Sequence, residues 1–538
     1  MKRKKIKLLS LIAAAVMSLA LLSGCGSTTV SFEDALAQLE YDEEAAPDET
    51  RQVVVLSGSW KDMGRQYAEQ VPDVVKRNVA SGLSSVLSEH SEEEANAALQ
   101  KHLDYYDEYT PEVREFFEGV AEGSGIDFET VALGLGGYSS GGFCSTMAAW
   151  GDTTEDGRLI AGGNWDTESG DSYFEPAVIA YPEDGYAFVA GSGFFSNVVM
   201  NEKGVVLMGS SGQSAREEDT GVGMPVISPP TFLAAKCESA EEAKDLYIDG
   251  YTVGTGDNFH VVDTTGASYV VEHTADKDCV RTSGDFDEEE YTIATNDFMI
   301  DEMQECLYSG EDYWDDNRPR YWTEEQILLE NYSDVSTDTI ADALGSTDFY
   351  IPENWEDYDW HPMFSTDKLQ TGWNRDVWNL DEYQGYWTPE NREPSLKAVA
   401  RNIADPENST LYIMNGCENT LVSANPDATG NFMHLTLNED IMESVSEAYS
   451  YALMQNWLAA RDISNSSGNT TEREEYLDQA KEAVIAGESY MYKAEIASDE
   501  ETKLKYCGKA LTKFCEAECY GQLAQDNPTK IAREGGDY

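Results

Sequence analysis

The sequence predicts an α+β sandwich, two antiparallel sheets stacked face to face and covered by helices. Two observations carry this. Short apolar runs pair across tight polar turns, as at Pro182-Glu183-Asp184-Gly185, Asn201-Glu202-Lys203-Gly204 and Thr264-Thr265-Gly266, and such runs occur both before and after a helical stretch. A further helical region from Glu439 onward is amphipathic and is expected to be appended to the sandwich.

In chain order, residues 1–24 read as an export signal. Lys2, Arg3, Lys4, Lys5 and Lys7 precede an apolar run from Leu8 to Leu22, and Ser23-Gly24-Cys25 ends it in the manner of a lipoprotein box. Cys25 is then the lipid-modified first residue of an extracytoplasmic protein anchored to the bacterial cell membrane. Residues 25–50 are acidic and poorly patterned, as a tether would be. Residues 51–143 form an N-terminal segment: a strand at Gln52–Ser57, a helix from Ser59 to Gln70 stopped by Pro72, helices at Ser91–Asp107 and Pro111–Ser124, and a helical stretch at Ile126–Leu135. A loop, Gly136-Gly137-Tyr138-Ser139-Ser140-Gly141-Gly142, delivers the chain to Phe143 and Cys144.

Residues 144–438 carry the sheets. Cys144–Trp150 and Arg158–Asn164 flank a polar turn and read as a hairpin. Strands follow at Ala177–Tyr181, Tyr186–Gly191, Asn197–Met200 and Val205–Met208. A helix spans Thr231–Tyr247, and four more strands lie at Asn258–Asp263, Ser268–Glu272, Cys279–Thr282 and Tyr291–Thr295. The stretch from Glu311 to Glu393 reads as surface excursions between short helices, Ser395–Asn402 is regular but of undetermined type, and Thr410–Met414 is a strand. Residues 439–538 are helical in at least two segments, broken near Ser464–Thr471.

With 101 acidic against 36 basic residues, the formal net charge is −65. That excludes nucleic acid as a partner and disfavours anionic headgroups, leaving the acyl chain on Cys25 as the membrane attachment. The cysteine spacings form no disulfide framework and no zinc pattern, and Cys515 and Cys519, four apart on a helix, read as packing residues. Asp152, Thr154, Asp156 and Gly157 echo a calcium loop, but its twelfth position is Gly163, so the stretch reads as a turn. No metal or cofactor is expected.

The chemistry points to the hairpin. With its turn centred near Glu155, Cys144 falls opposite Asp166 at one edge of the sheet. No histidine lies nearby in sequence, and a cysteine can instead use its own α-amine as base if the chain is cut just before it. An α-amine has a pKa of about 8 and a thiol about 8.5, so near neutral pH the proton passes readily between them. Two other readings stand beside this one: Cys144 as a buried apolar residue, and a papain-like pairing with His260, His273, His361 or His434.

Several pieces in order resemble one family. Gly58-Ser59, Met63-Gly64-Arg65-Gln66-Tyr67, Gly119-Val120-Ala121-Glu122-Gly123, Cys144-Ser145-Thr146, Gly163-Asn164-Trp165-Asp166, Met200-Asn201-Glu202-Lys203-Gly204, Thr295-Asn296-Asp297-Phe298 and Arg320-Tyr321 are similar to the acyl-coenzyme A:isopenicillin N acyltransferase family, autoproteolytic relatives of choloylglycine hydrolase and penicillin V amidase. The resemblance implies a four-layer αββα sandwich of the N-terminal-nucleophile hydrolases, cut between Phe143 and Cys144. It implies Cys144 as nucleophile and base, Asp166 orienting the amine, Asn201 and Asn296 at the active site, one of them in the oxyanion hole, and Arg320 supporting the nucleophile. The substrate it implies is a small acylated amine, hydrolysed or used for acyl transfer through an acyl-enzyme. Phe143, Gly163 and Asp297 depart from the family pattern, which has a small residue, an arginine (in the bile-salt branch) and a histidine there. The rival class is a surface binding lipoprotein that kept the sandwich and lost catalysis.

Overall fold

The structure, a computed structural model, describes residues 31–39, 52–136, 143–167, 175–212, 221–286, 288–304, 306, 317–346, 349–352, 385–387, 397–415 and 432–525. The export segment, Cys25, the loop at 137–142 and His361 lie outside these residues.

Short helix α1 (Phe32–Ala37) is followed by strand β1 (Val53–Gly58) and five helices: α2 (Trp60–Gln70), α3 (Pro72–Glu89), α4 (Glu92–Tyr109), α5 (Pro111–Ser124) and α6 (Phe128–Leu135). The hairpin β2 (Phe143–Ala149) and β3 (Ile160–Thr167) comes next, then β4 (Ala177–Pro182), β5 (Phe188–Ala190), β6 (Val198–Asn201) and β7 (Val205–Ser211). Helices α7 (Pro229–Ala234) and α8 (Ala240–Gly250) lead to β8 (Asp257–Asp263), β9 (Ser268–Thr274), β10 (Lys277–Phe286) and β11 (Tyr291–Ala294). After α9 (Asp301–Gln304), α10 (Asn317–Glu330) and α11 (Thr337–Leu344) come β12 (Phe349–Ile351), β13 (Gly385–Trp387), β14 (Lys397–Asp405), β15 (Thr410–Asn415) and β16 (Met433–Thr436). The chain closes with α12 (Ile441–Asn465), α13 (Thr471–Glu495) and α14 (Glu500–Leu523).

The strands form an eight-stranded sheet, ordered β1-β4-β5-β6-β7-β8-β9-β10, and a six-stranded sheet, ordered β11-β2-β3-β14-β15-β16. Pairing is antiparallel except for β1 and β4, which run parallel because the whole helical segment and the first hairpin separate them. Alternation along each strand sorts side chains into three apolar layers. Val54, Leu56, Val178, Phe188, Leu207 and Val261 face helices α2–α8; Val55, Ala148, Ala161, Ile179, Met208 and Ile413 fill the space between the sheets; Met147, Ile160, Ile293, Ile403 and Tyr412 face α10 and α11. The layer order is helix, sheet, sheet, helix, as the resemblance implies.

Helices α2 and α5 account for two of the glycine-bearing sequence pieces. A Cβ on Gly64 would stand 2.2 Å from the Phe116 carbonyl oxygen and one on Gly119 2.0 Å from that of Lys61, so the helices cross at backbone contact that only glycine allows.

Several expectations change. Pro72 starts a helix instead of only ending one: it occupies the first turn of α3, where its missing N–H costs nothing. The helix expected over Thr231–Tyr247 is two, because the chain turns at Cys237 and Asn201 Nδ2 donates to the Ala234 and Cys237 carbonyls at the break. Part of the expected tether is folded: Phe32, Ala35 and Leu39 are buried against the N-terminal helices. Gln38 Oε1 also accepts from the Asp127 N–H at 2.8 Å. The stretch of undetermined type at Ser395–Asn402 supplies the central strand β14. At the C-terminus, α14 is more than an attachment. Leu504, Ala510, Leu511, Phe514, Cys515 and Cys519 complete the inter-sheet layer, and Thr512 Oγ1 accepts from the Val53 N–H at 2.9 Å.

Candidate active site

Strand β2 sits inside the six-stranded sheet, and its alternation turns Cys144, Thr146 and Ala148 toward the other sheet. Cys144 is 1% exposed. Its edge partner β11 ends at Ala294, opposite Thr146, so the Cys144 N–H points beyond the last rung of the ladder. A side chain fills that rung: the N–H donates to Asn296 Oδ1 at 2.9 Å.

Asn296 is held from three sides. Its Oδ1 also accepts from Arg320 Nη2 at 2.9 Å, and its Nδ2 donates to the Ser211 carbonyl at 2.6 Å. Two donors against one atom and a carbonyl against the other fix which way the amide faces. From the first turn of α10, Arg320 Nη1 donates to the Cys144 carbonyl at 2.7 Å and to Ser145 Oγ at 3.1 Å, while Nη2 also reaches Asn317 Oδ1. Both backbone polar groups of Cys144 are therefore bound by side chains far away in sequence.

The hairpin register is one residue from the expected one. Trp165 lies opposite Cys144, and Asp166 lies opposite Phe143, because the connection is built on a 3-10 turn at Gly151–Thr153. Asp166 remains at the same end of the hairpin, and its side chain lies outside the described residues. Asn164 Oδ1 accepts from the Ser145 N–H at 2.7 Å, and Asn164 Nδ2 donates to the Leu344 carbonyl at 3.0 Å. From the facing sheet, Asn197 Nδ2 donates to the Asn164 carbonyl at 2.9 Å, and in the other direction Asn402 Nδ2, on β14 beside β3, donates to Ser192 Oγ at 2.8 Å.

Gly163 makes the departure from arginine intelligible. A Cβ there would meet the Ser145 carbonyl oxygen at 3.0 Å and methyls of Thr146 and Val198 at 3.1 Å, so the close approach of the sheets leaves no path for a long side chain. Asp297, in place of histidine, is buried and pairs with Arg318 Nε at 2.6 Å.

Cys144, Asn296 and Arg320 thus come together, and Asn201 does not join them. Its Oδ1 accepts from the Lys203 and Val205 N–H groups, and its Nδ2 ties the turn between α7 and α8. It belongs to the β6–β7 turn, whereas Ser211, the neighbour of Asn296, ends β7 six residues beyond Val205, roughly 20 Å away at about 3.3 Å per residue. The good turn chemistry of Asn-Glu-Lys-Gly explains Asn201 fully. Nothing local in the sequence distinguishes Asn197, Asn402 and Ser211 as site residues, and Asn164 lies in a motif of the resemblance that gives it no role.

The three candidate histidines among the described residues go elsewhere. His260 lies between Thr146 Oγ1 (3.1 Å) and Thr292 Oγ1 (2.8 Å), His273 between Asp278 and the Val253 carbonyl, and His434 against Glu518. None of these three hydrogen-bonds to Cys144. Burial first, and Arg281 second, push His260 down to about 3. Between pH 3 and about 6.5, the unfolded chain therefore binds the proton that folded His260 refuses, so stability falls as pH drops through 6.5, by up to about 5 kcal/mol at pH 3. His260→Gln cannot charge and is expected to lose less stability over that window, read from urea midpoints against pH; equal losses would contradict a neutral His260. Its replacement leaves any acid limb of activity in place.

Residues 153–362 match the model of the family described as acyl-coenzyme A:6-aminopenicillanic acid acyl-transferase, a match that begins downstream of Cys144. Among solved structures, a mutant of the conjugated bile acid hydrolase from Clostridium perfringens is 16% identical, with a TM-score of 0.32, covering 55% of this chain and 93% of its own. The penicillin V acylase from Agrobacterium tumefaciens is 11% identical, with a TM-score of 0.30, covering 51% and 85%. No curated protein matches. The chain is similar to the acyltransferase family that its motifs resemble, and the match falls on the segment that supplies Asn296 and Arg320.

Proposed function

We propose that this protein is an exported, lipid-anchored amide hydrolase or acyltransferase whose nucleophile is Cys144, matured by its own cleavage before that residue. The observation that carries the reading is the treatment of the Cys144 nitrogen. Asn296 and Arg320 converge on the backbone of one residue: Asn296 Oδ1 accepts the strand-end N–H that cleavage would turn into an α-amine, and Arg320 binds both the Cys144 carbonyl and that same Oδ1. The export leader, Cys25 and the family match are the further support.

In cleavage, the thiol attacks the Phe143 carbonyl carbon, the Phe143–Cys144 C–N bond breaks as the nitrogen takes a proton, and water hydrolyses the resulting thioester. A carboxylate on Phe143 and an α-amine on Cys144 result. That amine keeps Asn296 Oδ1 as acceptor, which leaves its lone pair for the thiol proton. In turnover, the thiolate adds to the acyl carbon of the substrate, the amine proton passes to the leaving nitrogen, and the acyl-enzyme is released by water or a second amine. Asp166, at the same strand end, is assigned to orient the amine. The substrate class is an N-acylated small amine, of which penicillin V and a conjugated bile acid, named for the two similar structures, are the first to try.

Intact-mass measurement of the purified mature protein tests this. Two chains meeting between Phe143 and Cys144 are expected. A single uncut chain that still turns over substrate would overturn the mechanism, and an uncut inert chain would favour a binding lipoprotein.

A further inference from the structure

The chain crosses from the eight-stranded to the six-stranded sheet between Phe286 and Tyr291, just before the segment that carries Asn296. A buried cluster of charges brackets that segment. Upstream of Asn296, the Ile293 N–H donates to Glu288 Oε1 at 3.2 Å and the Ile293 carbonyl accepts from Arg281 Nη2. Downstream, the Met299 and Ile300 N–H groups donate to the two oxygens of Glu272 at 2.8 and 3.0 Å. Arg281 joins the halves, with Nη1 2.9 Å from Glu288 and Nε 3.4 Å from Glu272, and all three side chains are at most 2% exposed. Tyr321, the residue after Arg320, donates to Glu288 Oε1 at 2.7 Å. Asn258, opposite Glu272 in the sheet, donates through Nδ2 to the carbonyls of Thr295 and Asp297, the immediate neighbours of Asn296.

Such a cluster is a poor stabilising device, since well-packed apolar groups of the same volume commonly do as well or better. What it does here is specific: two carboxylates and one guanidinium bind the backbone three residues to either side of Asn296 and the helix bearing Arg320. We infer that Glu272, Arg281 and Glu288 are positioning residues, a buried clamp that sets the Asn296 amide against the Cys144 nitrogen. The inference rests on the proposed role of that nitrogen.

A double-mutant cycle separates positioning from mere support. Glu272→Gln keeps the shape but leaves one oxygen for two N–H groups. The readout is the rate at which iodoacetamide alkylates Cys144, followed by peptide mass, alongside thermal midpoints. In the otherwise native protein, Glu272→Gln is expected to slow alkylation about tenfold, the loss of one well-placed hydrogen bond. In an Asn296→Ala background, the same change is expected to have less than about a twofold effect, because the group through which it acts is gone. An equal fold-change in both backgrounds would overturn the clamp and leave the nucleophile assignment standing. An uncut native protein would overturn the amine reading and the clamp with it. Should Glu272→Gln fail to fold, Tyr321→Phe, which removes only the hydroxyl donated to Glu288, enters the same cycle with the same criteria.

Discussion

Cys144→Ala is expected to yield a folded, uncut single chain with turnover reduced by at least about 10⁴-fold, the scale seen when a nucleophile acting as part of a unit is removed. The substitution takes away only the sulfur. The contacts from Asn296 and Arg320 end on the backbone nitrogen and carbonyl oxygen of residue 144, which alanine retains, and the side-chain space is buried and small. Stability is therefore expected to change by no more than about 1–2 kcal/mol, so lost activity cannot be charged to unfolding. Intact mass and acyl release measured on one preparation check both halves. A cut or active Cys144→Ala protein would remove this residue from the chemistry altogether.

Arg320→Ala is expected to be the next most damaging change. It strips a donor from the Cys144 carbonyl, from Ser145 Oγ and from Asn296 Oδ1 at once, and the carbonyl at the start of β2 loses its charged partner. Cleavage is expected to slow from prompt to incomplete and turnover to fall about 10²- to 10³-fold, comparable to losing one preorganised donor in an acyl-transfer site. Arg320→Lys keeps the charge but replaces a planar fork with one point, so it cannot serve Cys144 and Asn296 in the same geometry and is expected to recover little. A time course of precursor cleavage, with thermal midpoints for both variants, decides the matter. Full recovery by lysine would mean that charge alone matters there.

The pairing of Cys144 with Asn296 and Arg320 was readable from motif order, but its form was not. A sequence piece says that an asparagine belongs with Cys144; only the tertiary structure shows that its carbonyl oxygen stands in for the missing strand beyond Ala294. Asn201 shows the opposite failure. Its motif is intact, yet its turn geometry consumes every polar atom of its side chain at the far end of β7.

By itself the sequence determined most of the strands and many of the helices, the hairpin bearing Cys144, and the turns, because these depend on alternation, caps and turn residues within a dozen positions; the short strands β12, β13 and β16 and the type of β14 were beyond it. The helix at Pro72 and the break at Cys237 escaped, since a proline signals a start and a stop alike and the break is set by an amide from another strand. Tertiary structure alone decided the rest. Asn402 reaches Ser192 across 210 positions, Arg320 reaches Cys144 across 176, and Asn296 reaches Ser211 across 85. The first and third exist only once the sheets have stacked, and the second only once α10 has packed on the six-stranded sheet; away from water, an unpaired amide or guanidinium would be costly. Composition cannot foretell which of the chain's many polar side chains will be caught there; the stacking does.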